Sequence, residues 1–204
     1  ADVSMLGRLG DDGFGDFLLD NLKQNNVDST RVQRDEASTG TAIIVVDSNG
    51  QNSIVLSPGA NDKVSLADVN SASLLHYNLL LLQLEIPTPT VLRAAQRAKE
   101  SKVRVILNPA PAKQLSGELI SLADFIIPNE TELGLLTGLE VKSSASIEKA
   151  ARTLLDRGAK NVIVTLGSKG ALVVSSTPPI YVDTLQVNVV DTTAPVLTLS
   201  GVSP

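Results

Sequence analysis

Polar or glycine residues directly follow several apolar, strand-like runs, at the positions where a parallel sheet forms its binding cleft. The five positions are Glu85, Asn108, Asn129, Gly167 and Asp191. In open α/β sheets, ligands bind in the crevice outside the carboxyl ends of the strands. If the strands are parallel neighbours, these five groups line one cleft.

Some of these groups also have a purely structural interpretation. Asn129 and Glu132 have the spacing of a helix N-cap and its third residue, so they can form a capping box. A helix start also attracts anions and metal–phosphate complexes, so this interpretation leaves a binding role open. The Gly-Ser-Lys-Gly run at 167–170 is either a hairpin turn or a loop whose glycines let backbone amides approach a phosphate.

Glu85 has the strongest functional signal of the five positions. It follows an apolar strand, and a buried carboxylate needs a partner such as a sugar hydroxyl or a lysine. The loop at 108–112 contains two prolines, which make it rigid and suit it to a turn or to the wall of a site.

Composition excludes several classes of protein. With 17 basic and 22 acidic residues and a net charge of −5, the chain has no electrostatic footprint for nucleic acid. It has no cysteine and only one histidine, which excludes disulfides, thiol catalysis and multi-histidine metal sites. The longest apolar run is too short to span a bilayer, and no signal segment opens the sequence, so we expect a soluble cytoplasmic protein that contacts no membrane.

Alternating strand-like and helix-like segments predict an α/β fold with a mostly parallel sheet, in one domain spanning residues 1–204. Strands are predicted at 3–9, 78–84, 103–107, 124–127, 162–166, 171–175 and 187–190, and helices at 13–25, 65–72, 88–101, 129–137 and around 147–155. Two further β-rich runs, 41–47 and 51–56, flank Asn49-Gly50, a strong hairpin signal. This antiparallel pair, within residues 38–57, is expected to form a flap beside the main sheet.

Short motifs along nearly the whole chain together resemble the ribokinase-like (PfkB) family of carbohydrate kinases. The matching stretches are GRLGDD at 7–12, STGTA at 38–42, DSNGQNSIV at 47–55, GAN at 59–61, QLEIP at 83–87, NPAPA at 108–112, PNETE at 128–132, TLGSKG at 165–170 and VDTT at 190–193. The resemblance implies a three-layer α/β/α sandwich with a mostly parallel central sheet and a small antiparallel β lid.

The resemblance also implies a reaction, ATP-dependent phosphorylation of D-ribose to D-ribose 5-phosphate, with Mg²⁺ and K⁺. By resemblance, Glu85 hydrogen-bonds the ribose, Asn129 contacts the nucleotide, and Glu132 acts on magnesium through water. The ATP pocket is implied to include Thr165, Leu166, Gly167, Ser168, Lys169 and Gly170. Asp191 and Thr193 supply part of the potassium site, and the lid covers the sugar and mediates dimerisation.

The sequence departs from the family where catalysis should occur. The Asp-Thr-Thr at 191–193 is followed by Ala-Pro-Val-Leu, where the family has Gly-Ala-Gly-Asp. The general base position is therefore Leu197, which cannot accept a proton, and no catalytic residue is assigned. The family's glycine-rich sugar-binding motif is also missing, and the sequence is expected to be truncated at both ends.

These departures leave three alternatives for the function of the chain. The first is a ribokinase-type sugar kinase by descent, with little or no activity. The second is a non-catalytic binding or regulatory module that pairs with another subunit through the β lid. The third is a truncated product without function.

Overall fold

The computed structural model describes residues 2–46 and 52–184 of the 204-residue chain. In chain order the elements are β1 (Val3–Gly10), α1 (Gly13–Gln24), β2 (Val27–Asp35), β3 (Thr41–Val46), β4 (Asn52–Ser57), α2 (Leu66–Ser71), β5 (Leu79–Leu82), α3 (Thr88–Glu100), β6 (Arg104–Leu107), α4 (Gly117–Leu122), β7 (Phe125–Ile126), α5 (Glu130–Thr137), α6 (Ser144–Asp156), β8 (Asn161–Thr165), β9 (Ala171–Val174) and β10 (Ile180–Val182). Short 3-10 turns lie at Gly59–Lys63 and Gly167–Lys169. The predicted strand at 187–190 and the Asn-Gly turn lie outside the described residues.

A six-stranded sheet in the order β10-β9-β8-β7-β6-β5 forms the centre of the molecule. Strands β5 to β8 are parallel, whereas β9 and β10 are antiparallel to their neighbours. The predicted α/β class with a mostly parallel sheet is therefore confirmed. Since parallel strands all end at the same edge, this topology gathers the loops after β5, β6, β7 and β8.

Local sequence signals explain where the helices beside this sheet begin and end. Helix α3 carries Pro89 in its first turn, where a missing N–H costs nothing. Helix α5 ends at Gly138, whose φ of 72° is the left-handed conformation that favours glycine. In the part of the chain that the structure describes, no helix is long and apolar enough to cross a membrane.

The main core lies on one face of the six-stranded sheet. Along β5, Leu80 and Leu82 point into the core while Leu79 and Leu81 are exposed. Helices α3 to α6 supply the opposing side chains, such as Ala95, Leu119, Leu133 and Leu154. As the composition predicts, the cluster of buried residues consists of Ala, Val, Ile and Leu, so it depends on close packing of aliphatic groups.

Two smaller sheets lie apart from the central one. Strands β3 and β4 form the predicted antiparallel hairpin, which is the β lid, with Thr41 opposite Ser57. Strands β1 and β2 form a parallel pair. Neither β2 nor α4 was expected from the sequence. The only apolar residues of β2 are Val27 and Val32, and their odd spacing of five does not fit the alternation of a regular strand, so no such pattern marks β2 in the sequence. An irregularity in the pairing with β1 places them opposite Val3 and Gly7, on the same face.

An ion cluster closes the amino end of the central sheet. The Asp124 carboxylate, 9% exposed, accepts hydrogen bonds from Lys99 Nζ at 2.6 Å and Lys160 Nζ at 2.7 Å. It also accepts the backbone N–H of Val105 at 2.8 Å. Because these donors belong to α3, β6 and the segment before β8, the carboxylate links three elements at the starts of the strands.

Candidate active site

The carboxyl ends of the four parallel strands meet at one edge of the sheet, as the positional argument predicts. Backbone pairing continues beyond the strand ends, since Asn108 N donates to Leu82 O at 2.8 Å and Thr165 N donates to Pro128 O at 3.0 Å. Asn129 also forms an isolated parallel bridge with Thr165. The loops that carry the predicted polar residues are thereby held against one another.

A cavity of about 530 Å³ lies between this edge and the β lid. The lid and the turn after it contribute residues 40–42, 56–58, 61 and 62, and the loops of the central sheet contribute residues 84–88, 111 and 113. Its charged lining groups are Glu85, Asp62 and Lys113. A volume of this size, with polar groups from two separate parts of the fold, suits a small polar ligand.

Of the described positions expected to share one cleft, Glu85 lines this cavity, whereas Asn108, Asn129 and Gly167 do not. The expectation of a buried carboxylate at Glu85 is also wrong. Strand β5 ends at Leu82, and Glu85 is exposed, whereas the side chain of Leu84 is fully buried. Among the described residues, Glu85 forms no ion pair or hydrogen bond that would occupy its carboxylate. The carboxylate is therefore available to a ligand in the cavity.

The base of the lid is fastened to the start of α1. The Asp12 carboxylate accepts hydrogen bonds from Thr39 Oγ1 at 2.6 Å, from Thr39 N at 2.7 Å and from Gly15 N at 2.8 Å. These bonds, that of the Thr39 hydroxyl first, lower the pKa of Asp12 to about 2. On the other side, Gly59 has a φ of 51°, and a Cβ there would lie 2.1 Å from Ser38 O. Only glycine fits that approach.

Asn129 and Glu132 form the capping box that their spacing predicts. Asn129 Oδ1 accepts the N–H of Glu132 at 2.8 Å, and Glu132 Oε2 accepts the N–H of Asn129 at 2.8 Å. The structural interpretation of this pair is therefore confirmed. It leaves the binding interpretation open, because the capped end of α5 lies at the same sheet edge as the cavity and Asn129 is exposed.

The run at 167–170 is a turn that joins antiparallel strands β8 and β9. Gly167 and Gly170 have φ values of 56° and 85°, and Leu166 N donates to Gly170 O at 2.8 Å. Ser168 and Lys169 are exposed, while Leu166 is buried in the core. The turn thus presents polar groups at the rim, and Leu166 anchors it from below.

Three predicted positions lie outside the described residues, namely Asp191, Thr193 and Leu197. Within the described ranges, no group of three or more acidic, histidine or cysteine side chains could hold a metal ion by itself. Glu132 is a single carboxylate at the rim. It fits a magnesium ion that keeps its waters and takes further oxygen ligands from substrate phosphates.

Sequence reasoning missed the residues that complete the cavity on the lid side and at Lys113. Asn61 and Asp62 line the cavity from the 3-10 turn after the lid, and Lys113 lines it from the loop that follows Pro111. The signal for Lys113 was its place directly after the proline-rich loop. Neither hydrophobic periodicity nor a short sequence motif could have shown that this loop folds back beside Glu85.

Comparison with known proteins identifies relatives of this arrangement. Residues 1–194 match the model of the pfkB family of carbohydrate kinases. The chain is 38% identical over 197 residues to a ribokinase of Staphylococcus aureus, and 41% identical over 194 residues to a deoxyribokinase of Salmonella typhi. It also superposes on the structure of Arabidopsis thaliana ribokinase complexed with ribose and ATP, with a TM-score of 0.82 and 32% identity.

The matches cover nearly all of this chain but only part of the relatives. They include 95% and 93% of the chain, against 65% of the Staphylococcus protein and 63% of the Salmonella protein. For the Arabidopsis structure, 94% of this chain aligns with 64% of that one. The chain therefore spans somewhat less than two thirds of the length of these relatives.

Proposed function

The chain belongs to the pfkB family of carbohydrate kinases, and we propose that its site holds a pentose beside ATP, for transfer of the γ-phosphoryl group to the 5-hydroxyl of D-ribose. The observation that carries this proposal is the cavity of about 530 Å³ between the lid and the sheet edge. Glu85 lines that cavity with a free carboxylate, while Asn129 and Thr165 lie on the same edge.

On the pentose side, the proposed role of Glu85 is to accept hydrogen bonds from sugar hydroxyls. A charged acceptor forms shorter and stronger hydrogen bonds than a neutral one. Because the exposed carboxylate of Glu85 has no partner among the described residues, binding a sugar would break no existing bond of this carboxylate with them. The ribokinase and deoxyribokinase names of two relatives support a pentose as the substrate class. D-ribose is the substrate we propose.

On the nucleotide side, the proposed ligands of ATP are Asn129 and the turn from Thr165 to Gly170. The Arabidopsis neighbour, which is complexed with ribose and ATP, supports a nucleotide in the same fold. Glu132 would hold Mg²⁺ through water, and that ion supplies charge neutralisation on the phosphates. Asp191 and Thr193 remain the proposed partial site for K⁺.

We further propose that this chain has little kinase activity as it stands. Leu197 occupies the position at which the family has its general base, and loss of such a base costs ~10²–10⁴ in rate. Pro195 has no N–H to donate to the transferring phosphoryl group. Binding of the substrates needs neither group, so ribose and ATP affinity can persist without turnover.

A coupled ADP-release assay with D-ribose tests both parts of the proposal. One variant carries Ala194→Gly, Pro195→Ala, Val196→Gly and Leu197→Asp together, and its matched control carries Leu197→Asn with the same three other changes. We expect turnover to rise by at least ~10² in the first variant only, because only the carboxylate accepts the proton. Turnover in the unmodified chain that is above background and as high as in the first variant would contradict the proposed inactivity. Absence of ribose binding in all three chains, measured by calorimetric titration, would refute the pentose site.

A second candidate function is a non-catalytic module that pairs through the β lid. The observation in its favour is that Ile43, Val45 and Val55 are 62%, 55% and 61% exposed, an unusual concentration of apolar surface on one hairpin. Sedimentation velocity on Ile43→Lys with Val55→Lys tests it. Loss of a dimer in this variant supports pairing through the lid, provided that the control Leu75→Lys, an exposed position outside the lid, keeps the dimer. A monomeric unmodified chain excludes such pairing.

The cytoplasmic location stays a prediction.

A further inference from the structure

Lys113 contacts the backbone directly beside Glu85. Its Nζ donates a hydrogen bond of 2.6 Å to the carbonyl oxygen of Leu84, which belongs to the peptide bond that joins Leu84 to Glu85. The side chain lies in the loop after Pro111, and both Lys113 and Glu85 line the same cavity. The ammonium group of Lys113 is therefore hydrogen-bonded to the peptide that directly precedes the side chain of Glu85.

The rest of the Leu84 residue is held by the same loop. Leu84 N donates to Ala110 O at 3.0 Å, and the Leu84 side chain is fully buried. Without Lys113, the buried side chain would still be fixed, but the loop would hold the Leu84 backbone by one hydrogen bond instead of two. The carbonyl that orients the following residue would have lost its donor, and the remaining bond of the Leu84 N–H would open more readily. Rotation of that peptide moves Glu85 and leaves the core unchanged.

Lys113 has no competing carboxylate in the described part of the chain. The ion pairs of that part join other lysines and arginines to Asp and Glu, and none includes Lys113. Its charge is thus directed to a neutral carbonyl. Hydrogen bonds from charged donors are stronger than those from neutral ones, so this contact is strong for a side chain in an exposed loop.

We propose that Lys113 is a positioning residue for the pentose site, acting through the Leu84 carbonyl to orient the carboxylate of Glu85. This inference rests on the proposed function, since it assumes that Glu85 binds a sugar. The expected consequence is selective. Loss of the Lys113 contact weakens pentose binding and leaves nucleotide binding intact, because Asn129 and Thr165 are held by their own bridge.

The test compares Lys113→Met, Lys113→Arg, Glu85→Gln and the control Lys149→Met, which removes an exposed lysine from α6. Calorimetric titration measures the affinity of each full chain for D-ribose and, separately, for Mg²⁺ with ATP. We expect Lys113→Met to lose about tenfold in ribose affinity, while Lys113→Arg recovers to within about twofold because guanidinium keeps the N–H donors. ATP affinity should not change in any of the four variants.

Amide hydrogen exchange without ligand measures the contact independently of sugar binding. Exchange at the Leu84 N–H should accelerate in Lys113→Met and stay unchanged in Lys149→Met. If neither the unmodified chain nor any variant binds ribose, the proposed function is refuted. In that case the exchange result alone shows whether Lys113 holds the Leu84 peptide in place. Unchanged exchange and affinity in Lys113→Met overturn the inference. So does an equal loss of ribose and ATP affinity, which identifies a general folding defect.

Discussion

The two edges of the central sheet use carboxylates in opposite ways. At the amino edge, Asp124 is buried between Lys99 and Lys160 and also accepts the N–H of Val105. At the carboxyl edge, Glu85 is exposed, faces a cavity and has no partner within the described ranges. A carboxylate that the fold has already satisfied serves stability, whereas the proposed role of the one left free beside the cavity is to bind a ligand.

Electrostatics reinforce this contrast. Burial alone would raise the pKa of Asp124, but the hydrogen bonds from Lys160, Lys99 and Val105 outweigh it and hold the pKa at about 2. The charged form is therefore favoured in the folded protein. Such a perturbed group is often a sign of a functional site, yet here it belongs to a structural cluster, because all of its partners are already supplied by the fold.

The largest expected effect comes from removing the buried carboxylate. Asp124→Ala leaves two ammonium groups and a buried backbone N–H without their acceptor, and we expect it to lower the free energy of unfolding by about 2–3 kcal/mol. Urea denaturation measures the change. The control is Asp20→Ala, which removes an exposed pair with Lys23 and should cost less than about 0.5 kcal/mol. Equal losses of unfolding free energy in the two variants would contradict the structural role of Asp124 at the amino edge.

Two glycines at the carboxyl edge provide a matched test of backbone shape. A Cβ at Gly170 would lie 2.0 Å from Val182 O, whereas a Cβ at Gly167 would meet nothing within 4 Å. Both have positive φ, and Gly170, with ψ of −129°, lies outside the left-handed helical region. From conformation alone, alanine therefore costs about 1 kcal/mol at Gly167 and somewhat more at Gly170. We expect Gly170→Ala to cost about 2 kcal/mol in unfolding free energy and to weaken ATP binding more than Gly167→Ala does. Thermal unfolding and ATP titration show whether the clash matters, and equal results would exclude it.

The pH dependence of stability distinguishes the two edges as well. Because the pKa of Asp124 is lowered from its ordinary 3.8 to about 2, its contribution is fully present above pH 3.8 and is lost as the pH falls toward 2. The expected loss is about 1–2 kcal/mol. Urea midpoints between pH 5 and pH 2.5 measure it, and Asp124→Asn should flatten that part of the curve. An unchanged slope in the variant assigns the acid sensitivity to other groups.

The smallest expected effect on stability belongs to Glu85. Glu85→Gln changes an exposed group without a partner in the described structure, so the free energy of unfolding should stay within about 0.5 kcal/mol. Ribose affinity should nevertheless fall about five- to tenfold, because the charged acceptor is lost. Glu36→Gln, an exposed carboxylate away from the cavity, is the control. A stability loss without an affinity loss would make Glu85 a structural residue like Asp124.

Most of the elements, and the edge at which the site lies, could be predicted without coordinates. The strand-like runs at 78–84 and 103–107, the two β-rich runs that flank Asn49-Gly50 and the capping pair at 129 and 132 all have strong local signals. The described part of the chain has the corresponding strands and helix. Strand β2 was missed because its side chains do not alternate. The exposure of Glu85 was also missed, since burial depends on where a strand ends in three dimensions.

The order of strands and helices, the aliphatic core and the family of the chain follow from the sequence, because periodicity, turn residues and short motifs are local properties. The meeting of Lys113 with the Leu84 carbonyl, and of the lid with the sheet edge, depends on tertiary structure. These contacts join residues 29 or more positions apart or elements of different sheets. Their formation depends on packing and on pairing of distant backbone groups, which no local pattern encodes.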